Sequence, residues 1–512
     1  MDDDFTRALQ FHQRGDLAQA EASYRDILEA DANHVGALNN LAAIFLQQRR
    51  FDEACGCLRR AVHIQPDYVL GHINLGNALK ELGQWHDAIE CYRRATHLNP
   101  RSPEAHYNLG CALVEQEEYA EAINAFREAL QINPLHAETH YNLANVFGVQ
   151  GLLDEAVASY REAIRLRPDY IDAHINLGNT LKDQKLFAES AESYRQAVRV
   201  AGSGSASERM ALWNLACLRL LLGEYAAAWP GYEQRWTQPG SGQSSFQLPQ
   251  WNDKDVLVTS DQALGDTIQF ARYLPLIQTR GGNVVFGCQP ALAGLMAGLV
   301  GADKVIAQPG PWPACDMHMQ LLSLPGIFGT TLATIPKDIP YLHAKHDLVD
   351  RWRGEIRRGE NRFQVGIVWQ GSMTIKGDRR SCHLSQFAPL AEIPNVSLVS
   401  LQVGAATAEI AGASFPIVDL GSRFDKNSLD DLAAVIANLD LVVTVDTAAA
   451  HLAGALGVSV WTLLQFVPDW RWLLDRNDSP WYPTMRLFRQ KRWGDWEEVF
   501  ERVATELECK KP

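Results

Sequence analysis

Through roughly the first two hundred residues one pattern returns every 34 positions. Asn40-Leu41, Asn74-Leu75, Asn108-Leu109, Asn142-Leu143 and Asn176-Leu177 keep that step without slippage, and so do Ala20, Ala54, Ala88, Ala122 and Ala156. Tyr24, Leu58, Tyr92, Phe126, Tyr160 and Tyr194 share it, as do Pro66, Pro100, Pro134 and Pro168. A fixed period of this length marks a small supersecondary unit that cannot bury its apolar face alone and must stack on its neighbours. Within one period, HINLGNALKELG and WHDAIECYRRATHLNP read as two amphipathic helices. Gly76 and Ala88 let them approach, Tyr92 fills the gap between them, and Pro100 stops the second. An all-α solenoid of helix pairs is predicted.

This period and these residue types resemble the tetratricopeptide repeat, with about seven repeats over residues 1–238. Six run in register to about Gly204. The Gly202-Ser203-Gly204-Ser205 insertion then delays Asn214-Leu215 to 38 residues after Asn176. The last second helix, GEYAAAWPGYEQRW, carries a proline among large aromatics, as a terminal repeat docking onto another domain would. Asn costs up to roughly 0.7 kcal/mol against Ala in a helix, yet Asn40, Asn74, Asn108, Asn142, Asn176 and Asn214 recur at one position of the first helices. First helices line the concave face. A column of amides there serves equally to bond an extended peptide backbone or to bond the neighbouring repeat and water. The column resembles the asparagine ladder of O-GlcNAc transferase, which implies a protein or peptide acceptor held by the concave face.

A net charge of -14 and a pI near 5.5 argue against a general nucleic-acid or anionic-membrane binder. Met1-Asp2-Asp3-Asp4 opens acidic and leads into an amphipathic helix, unlike a secretory signal, and no run reaches the ~18 apolar residues of a membrane span. A cytoplasmic location is therefore expected. The nine cysteines are scattered, with no C-x-x-C pair, and fit reduced thiols on helices rather than a metal site.

Residues 239–253 lie in a Gly-, Ser-, Gln- and Pro-rich stretch in which the period disappears, and read as a linker. Strands and helices alternate beyond it. Apolar runs at 255–260, 283–288, 304–308, 364–370 and 397–402 read as strands, with helices near 267–278, 291–299, 384–391 and 428–437. Such alternation predicts parallel sheets with helices on both faces, and the break near 340–362 predicts two sheets facing a cleft, residues 254–345 and 346–512.

Leu439 to Gly457, LDLVVTVDTAAAHLAGALG, reads as a buried strand, a tight turn at Asp446-Thr447 and a helix from Ala448. In an open parallel sheet such a turn lies at the carboxyl ends of the strands, where helix amides favour a phosphate. Asp446 or Thr447 as an N-cap, and His451 as a packed first-turn histidine, are the structural alternatives. In the first sheet, Gly265 permits a tight loop and Asp266 stands at a helix start, as an N-cap or as a general base. Across the cleft, Gly371 follows a strand end, and Lys376, Arg379 and Arg380 form either a solvated charge run or a diphosphate contact.

Together these residues resemble glycosyltransferase family 9, the ADP-heptose:lipopolysaccharide heptosyltransferases, over roughly residues 254–490. Closer still is a group of bacterial proteins that fuse tetratricopeptide repeats to such a domain, through LGDTIQFARYLPL, LLSLPGIFGTTL, VDTAAAHLAGALG and PDWRWLLDRNDSPWYPTMRLFRQ. The resemblance implies a GT-B fold of two Rossmann-like lobes and an inverting, metal-independent transferase with no cofactor beyond a nucleoside-diphosphate sugar donor. It implies that Asp266 is the base, that Asp446, Thr447 and the helix amides from Ala448 hold the donor nucleotide beside Gly265, Gly371 and His451, and that Arg380, less closely Lys376 and Arg379, contacts the diphosphate. Arg380-Ser381-Cys382 stands where heptosyltransferases commonly have Lys-x-Trp, so heptose and ADP are not carried over. The expected function is sugar transfer to a protein acceptor held by the repeats. The alternatives are transfer to a glycan or lipid-linked sugar, and a non-catalytic scaffold.

Overall fold

A computed structural model describes residues 2–235, 251–260, 263–356, 362–371 and 379–510. The chain divides into two compact units, Met1–Ala201 and Gly202–Pro512.

The first unit is built of helix pairs: Asp2–Gln13 with Leu17–Ala30, Val35–Gln47 with Phe51–Ile64, Val69–Glu81 with Trp85–Leu98, Pro103–Glu115 with Tyr119–Ile132, Ala137–Val149 with Leu153–Leu166, and Ile171–Asp183 with Phe187–Val200. These are the predicted tetratricopeptide units. The periodic residues Tyr24, Leu58, Tyr92, Phe126, Tyr160 and Tyr194 are all buried in its core. Glycine is required where the aromatic reaches the first helix: a Cβ on Gly76 would lie 2.5 Å from the Tyr92 ring, and on Gly110 or Gly178 2.6 Å from Phe126 or Tyr194. Gly178→Ala is expected to destabilise this unit by about 1–3 kcal/mol in urea unfolding, because a buried ring must leave its rotamer. Between repeats the chain is clasped by a second column that follows the period. The Nε2 atoms of His72, His106, His140 and His174 lie 3.0, 3.0, 3.0 and 2.9 Å from the carbonyl oxygens of Pro66, Pro100, Pro134 and Pro168.

The second unit begins with one more helix pair, Ala206–Leu221 and Tyr225–Tyr232. The division at 201/202 thus precedes this pair, whereas the sequence reading continued the solenoid to 238; of the stretch read as a linker, only residues from Trp251 onward lie within the described residues. Aromatic packing accounts for the difference. Trp229 donates its indole N–H to the Thr330 carbonyl at 2.8 Å, and Trp229 and Tyr232 stand edge-on to Trp470 at 6.0 and 5.7 Å.

Two parallel sheets follow. The first comprises β1 (Lys254–Thr259), β2 (Gly282–Cys288), β3 (Lys304–Ala307) and β4 (Met317–Gln320), in the order β3-β2-β1-β4. The second comprises β5 (Phe363–Val368), β6 (Val396–Ser400), β7 (Val418–Asp419), β8 (Leu441–Val445), β9 (Val460–Leu464) and β10 (Met485–Arg489), in the order β10-β9-β8-β5-β6-β7. All of their pairings are parallel. Every residue of β8 and β9 is buried, as apolar runs of this density require. The helix expected near 267–278 is divided into Leu264–Phe270, a 3-10 turn Ala271–Tyr273 and Leu274–Gln278, since Pro275 lacks the amide a continuous helix needs. Each sheet has one point at which strand order reverses, between β1 and β4 and between β5 and β8. Ligands of open α/β sheets bind outside the carboxyl ends of the strands at such points.

A buried guanidinium joins elements of both sheets. Arg272 donates through Nε to the Gln269 carbonyl at 2.7 Å, through Nη1 to the carbonyls of Pro336 and Trp481, and through Nη2 to the Tyr341 hydroxyl at 3.0 Å. Tyr341 in turn donates to the Ile268 carbonyl at 2.8 Å, and its amide bonds the Ala455 carbonyl at 3.1 Å. Among the described residues no helix is long and apolar enough to cross a membrane.

Candidate functional site

Both strand-order reversals are followed by a helix carrying residues singled out from the sequence. After β1 comes Leu264–Phe270, with Asp266 in its first turn; after β8 comes Ala448–Ala455, with Thr447 as its N-cap. The two helices meet where Gly265 faces His451. A Cβ on Gly265 would lie 3.0 Å from His451 Cδ2 and 3.6 Å from Ala448 Cα, so the glycine sets the close approach.

Asp266 is not a cap, because the N-cap position belongs to Ala263. Its Oδ1 instead accepts from Arg471 Nη2 at 2.6 Å. The same guanidinium donates through Nε to Gln269 Oε1 at 2.7 Å and through Nη1 to Asp469 Oδ1 at 2.8 Å. Trp470 and Phe270 close over the cation, with ring centroids 4.6 and 5.5 Å away. Burial alone would lower the Arg471 pKa, but the carboxylates of Asp266 and Asp469 outweigh it and hold it well above the ordinary value. The Asp266 side chain stays 24% exposed, so a second molecule can reach a carboxylate whose orientation the protein sets.

Asp446 is buried at the end of β8. Burial, and after it the Asp469 carboxylate, push its carboxyl up to about 6 from an ordinary 3.8, against the pull of the Trp472 indole and the Arg380 and Arg471 guanidiniums. Between that ordinary value and about pH 6 Asp446 keeps in the folded chain a proton it has released in the unfolded one, so its contribution to stability falls as pH rises through this window. Asp446→Asn is expected to remove this loss when urea midpoints are compared between about pH 4 and pH 7. Retention of the full slope would place its origin elsewhere.

The remaining positions divide. Thr447 occupies the N-cap, but its hydroxyl lies 3.0 Å from Thr444 Oγ1 and makes no cap bond. His451 has the packed character that was the structural alternative: Nδ1 is 3.0 Å from the Tyr482 hydroxyl and the ring stacks on Trp472 at 5.2 Å. Burial, then the Arg471 and Arg272 charges, hold its pKa well below 6.5 and keep it neutral. Gly371 follows β5 and its amide bonds Ser381 Oγ at 3.2 Å. Arg380 is half-buried and acts on Asp446 through its charge, whereas Arg379 lies over the Trp493 ring at 4.5 Å. Lys376 lies outside the described residues.

In the first unit the periodic asparagines are half-buried and their Nδ2 groups bond other protein groups. Asn40 donates to the Tyr24 hydroxyl at 3.2 Å. Asn74 donates to Asn39 Oδ1 at 2.8 Å, Asn108 to Asn77 Oδ1 at 3.3 Å and Asn142 to the Tyr107 hydroxyl at 3.1 Å. Asn176 donates to the Tyr141 hydroxyl and to Asn145 Oδ1, both at 3.0 Å. From Asn74 onward these bonds run to the preceding repeat, which is the structural alternative the sequence left open. Asn214 is half-buried on the Ala206–Leu221 helix of the second unit.

Arg471, Asp469, Gln269 and Tyr482 belong to this constellation and were not singled out from the sequence. The available signal was Asp469-Trp470-Arg471-Trp472, a cation between two large rings with a carboxylate two residues before it.

Residues 405–466 match the family described as glycosyltransferase family 9 (heptosyltransferase), a span that holds Asp446, Thr447 and His451 but neither Asp266 nor Arg471. Residues 6–212 match the C-terminal domain of cilia and flagella-associated protein 70. Among curated proteins, the chain is 28% identical over 342 residues to Protein FlbA of Caulobacter vibrioides, covering 60% of this chain and 56% of that protein. It is also 36% identical over 62 residues to Protein O-mannosyl-transferase Tmtc3 of Drosophila melanogaster, 12% of this chain and 7% of that one. The chain thus spans little more than half the length of FlbA and a small part of Tmtc3. Among solved structures, MamA matches at 26% identity and a TM-score of 0.31, covering 31% of this chain and 94% of that one. YrrB, described as a TPR protein with an unusual peptide-binding site, matches at 18% identity and a TM-score of 0.33, covering 37% and 95%. The chain therefore joins tetratricopeptide repeats to a region similar to glycosyltransferase family 9.

Proposed function

We propose that the second unit is an inverting glycosyltransferase of the GT-B class, moving a sugar from a nucleoside diphosphate to an acceptor hydroxyl. The observation that carries this reading is the contact of the two helices that follow the strand-order reversals. It brings Gly265, the neighbour of the partly exposed Asp266, against Ala448 and His451, just beyond the turn at Asp446-Thr447, the expected place of an anionic donor.

In the proposed step Asp266 takes the proton of the acceptor hydroxyl as that oxygen bonds to the anomeric carbon. The bond from the anomeric carbon to the phosphate oxygen breaks from the opposite side, and the nucleoside diphosphate leaves with the electron pair. Negative charge grows on the leaving group, where the amides at the start of the Ala448 helix and the Arg380 guanidinium give most stabilisation. A cationic side chain and amides at this position can do the work a divalent ion does in other transferases. The repeats are proposed to hold a protein or peptide. One observation favours a glycan or lipid-linked acceptor instead, since the asparagine amide donors already bond protein groups.

The test is a thermal-shift panel of UDP, GDP and ADP, followed by transfer assays with their hexose conjugates on peptide and saccharide acceptors. One diphosphate should raise the midpoint, since a ligand stabilises only the state that binds it, and its sugar conjugate should be turned over. A protein stabilised by none of them and inert toward every conjugate would be a scaffold. Asn108→Ala, Asn142→Ala and Asn176→Ala together should abolish transfer to peptide and spare transfer to saccharide if the repeats hold the acceptor. Equal loss of both would assign those amides to the stability of the solenoid.

A further inference from the structure

Resting on that reading, we infer that Arg471 is a positioning residue for Asp266, supplied by the second sheet to a base carried by the first. Asp266 and Gln269 are three apart on one helix and so project from one face of it. Arg471 meets both from a segment that follows β9, more than two hundred residues further along the chain. The guanidinium is a rigid planar fork, and each of its three nitrogens has an acceptor at 2.6 to 2.8 Å. Its own placement is fixed twice over: Asp469 Oδ1 also accepts from the Arg471 backbone amide at 3.0 Å, and Trp470 packs against the cation.

A carboxylate on a short helix has rotational freedom about its side-chain bonds, and a misplacement of about 1 Å can cost on the order of 10²-fold in rate. The bond to Arg471 removes that freedom, with an orientation that exists only while the two sheets hold their present apposition. The base is therefore assembled by the packing of one sheet's helix against the other sheet's loop. Asp469 has a second effect, raising the Asp446 carboxyl on the donor side, so one aspartate acts on both halves of the site.

The experiment uses the full chain, the sugar donor found active in the panel above, and R471K, R471Q, D266N and the D266N/R471Q double variant. R471Q should lower kcat by roughly 10- to 100-fold with the donor KM changed less than about threefold, and R471K should recover part of the loss. The double variant should be no slower than D266N within about threefold, because an orienting group has nothing left to orient. A double variant slower than D266N by the full R471Q factor would overturn the inference and leave the transferase reading in place, as would R471Q turning over like wild type. If R471Q does not fold, R471K against D266N/R471K closes the same cycle. A wild-type chain that turns over no donor overturns both.

Discussion

Arg272→Met is expected to remove about 3–5 kcal/mol from the stability of the second unit, with a midpoint drop on the order of 5–10 °C. Arg272 is nearly inaccessible to solvent, and among the described residues no carboxylate is a hydrogen-bond partner of it. Its charge is met by the carbonyls of Gln269, Pro336 and Trp481, the Tyr341 hydroxyl and the faces of the Tyr482 and Tyr341 rings, 4.4 and 4.7 Å away. Methionine fills most of the volume, so the loss measured is mainly that of stranding buried acceptors, each costing about 1–3 kcal/mol. Arg272→Lys keeps a charge but cannot reach all four acceptors, and should lie between the two. The unfolding of residues 1–201, followed by a probe confined to that unit, should not move. A loss below about 1 kcal/mol would mean that solvent or rearrangement satisfies those carbonyls.

The contrast between Arg272 and Arg471 shows what could be read from the sequence and what could not. The helices of the first unit were legible because a 34-residue period repeats both the apolar faces and the small-aromatic pairs such as Gly178 and Tyr194. β8 and the turn after it were legible because a run buried on both faces must be apolar throughout, and its abrupt end at Asp446 marks the carboxyl edge. Met317–Gln320 was not, since its side chains are half-buried or exposed and include His318 and Gln320. The short β7 and the edge strand β10, whose Arg486 and Arg489 interrupt its apolar residues, escaped for similar reasons. Asp266 and Asp446 read from their own loops as N-caps more readily than as site residues and took their proposed roles from the family resemblance, whereas Arg471 acquires meaning chiefly from Asp266 and Gln269, far away in sequence. The asparagines show a different limit, because an amide suited to a peptide backbone is equally suited to the Tyr107 or Tyr141 hydroxyl of the preceding repeat.

Asp266→Asn should lower transfer by about 10²- to 10⁴-fold, the range of a positioned general base, which corresponds to about 3–5 kcal/mol of barrier. Asparagine is the informative replacement because its carbonyl oxygen can still accept from Arg471 Nη2, so the helix contact at Gly265 and His451 need not move. Thermal midpoints should therefore fall less than in Asp266→Ala, and the stabilisation by the nucleoside diphosphate, whose proposed contacts lie on the Ala448 helix and Arg380, should stay close to wild type. The loss should fall on kcat rather than on the donor KM, as expected for an interaction used only once the acceptor proton begins to move. Asp266→Ala is the control for the hydrogen bond: both variants leave the Arg471 cation with Asp469 as its carboxylate partner, but alanine also removes the acceptor of Nη2 and should add a stability loss that Asp266→Asn lacks. Transfer by Asp266→Asn within threefold of wild type would remove Asp266 from the chemistry. The apposed helices would then be a binding cleft whose base, if any, must be sought among Asp446 and Asp469.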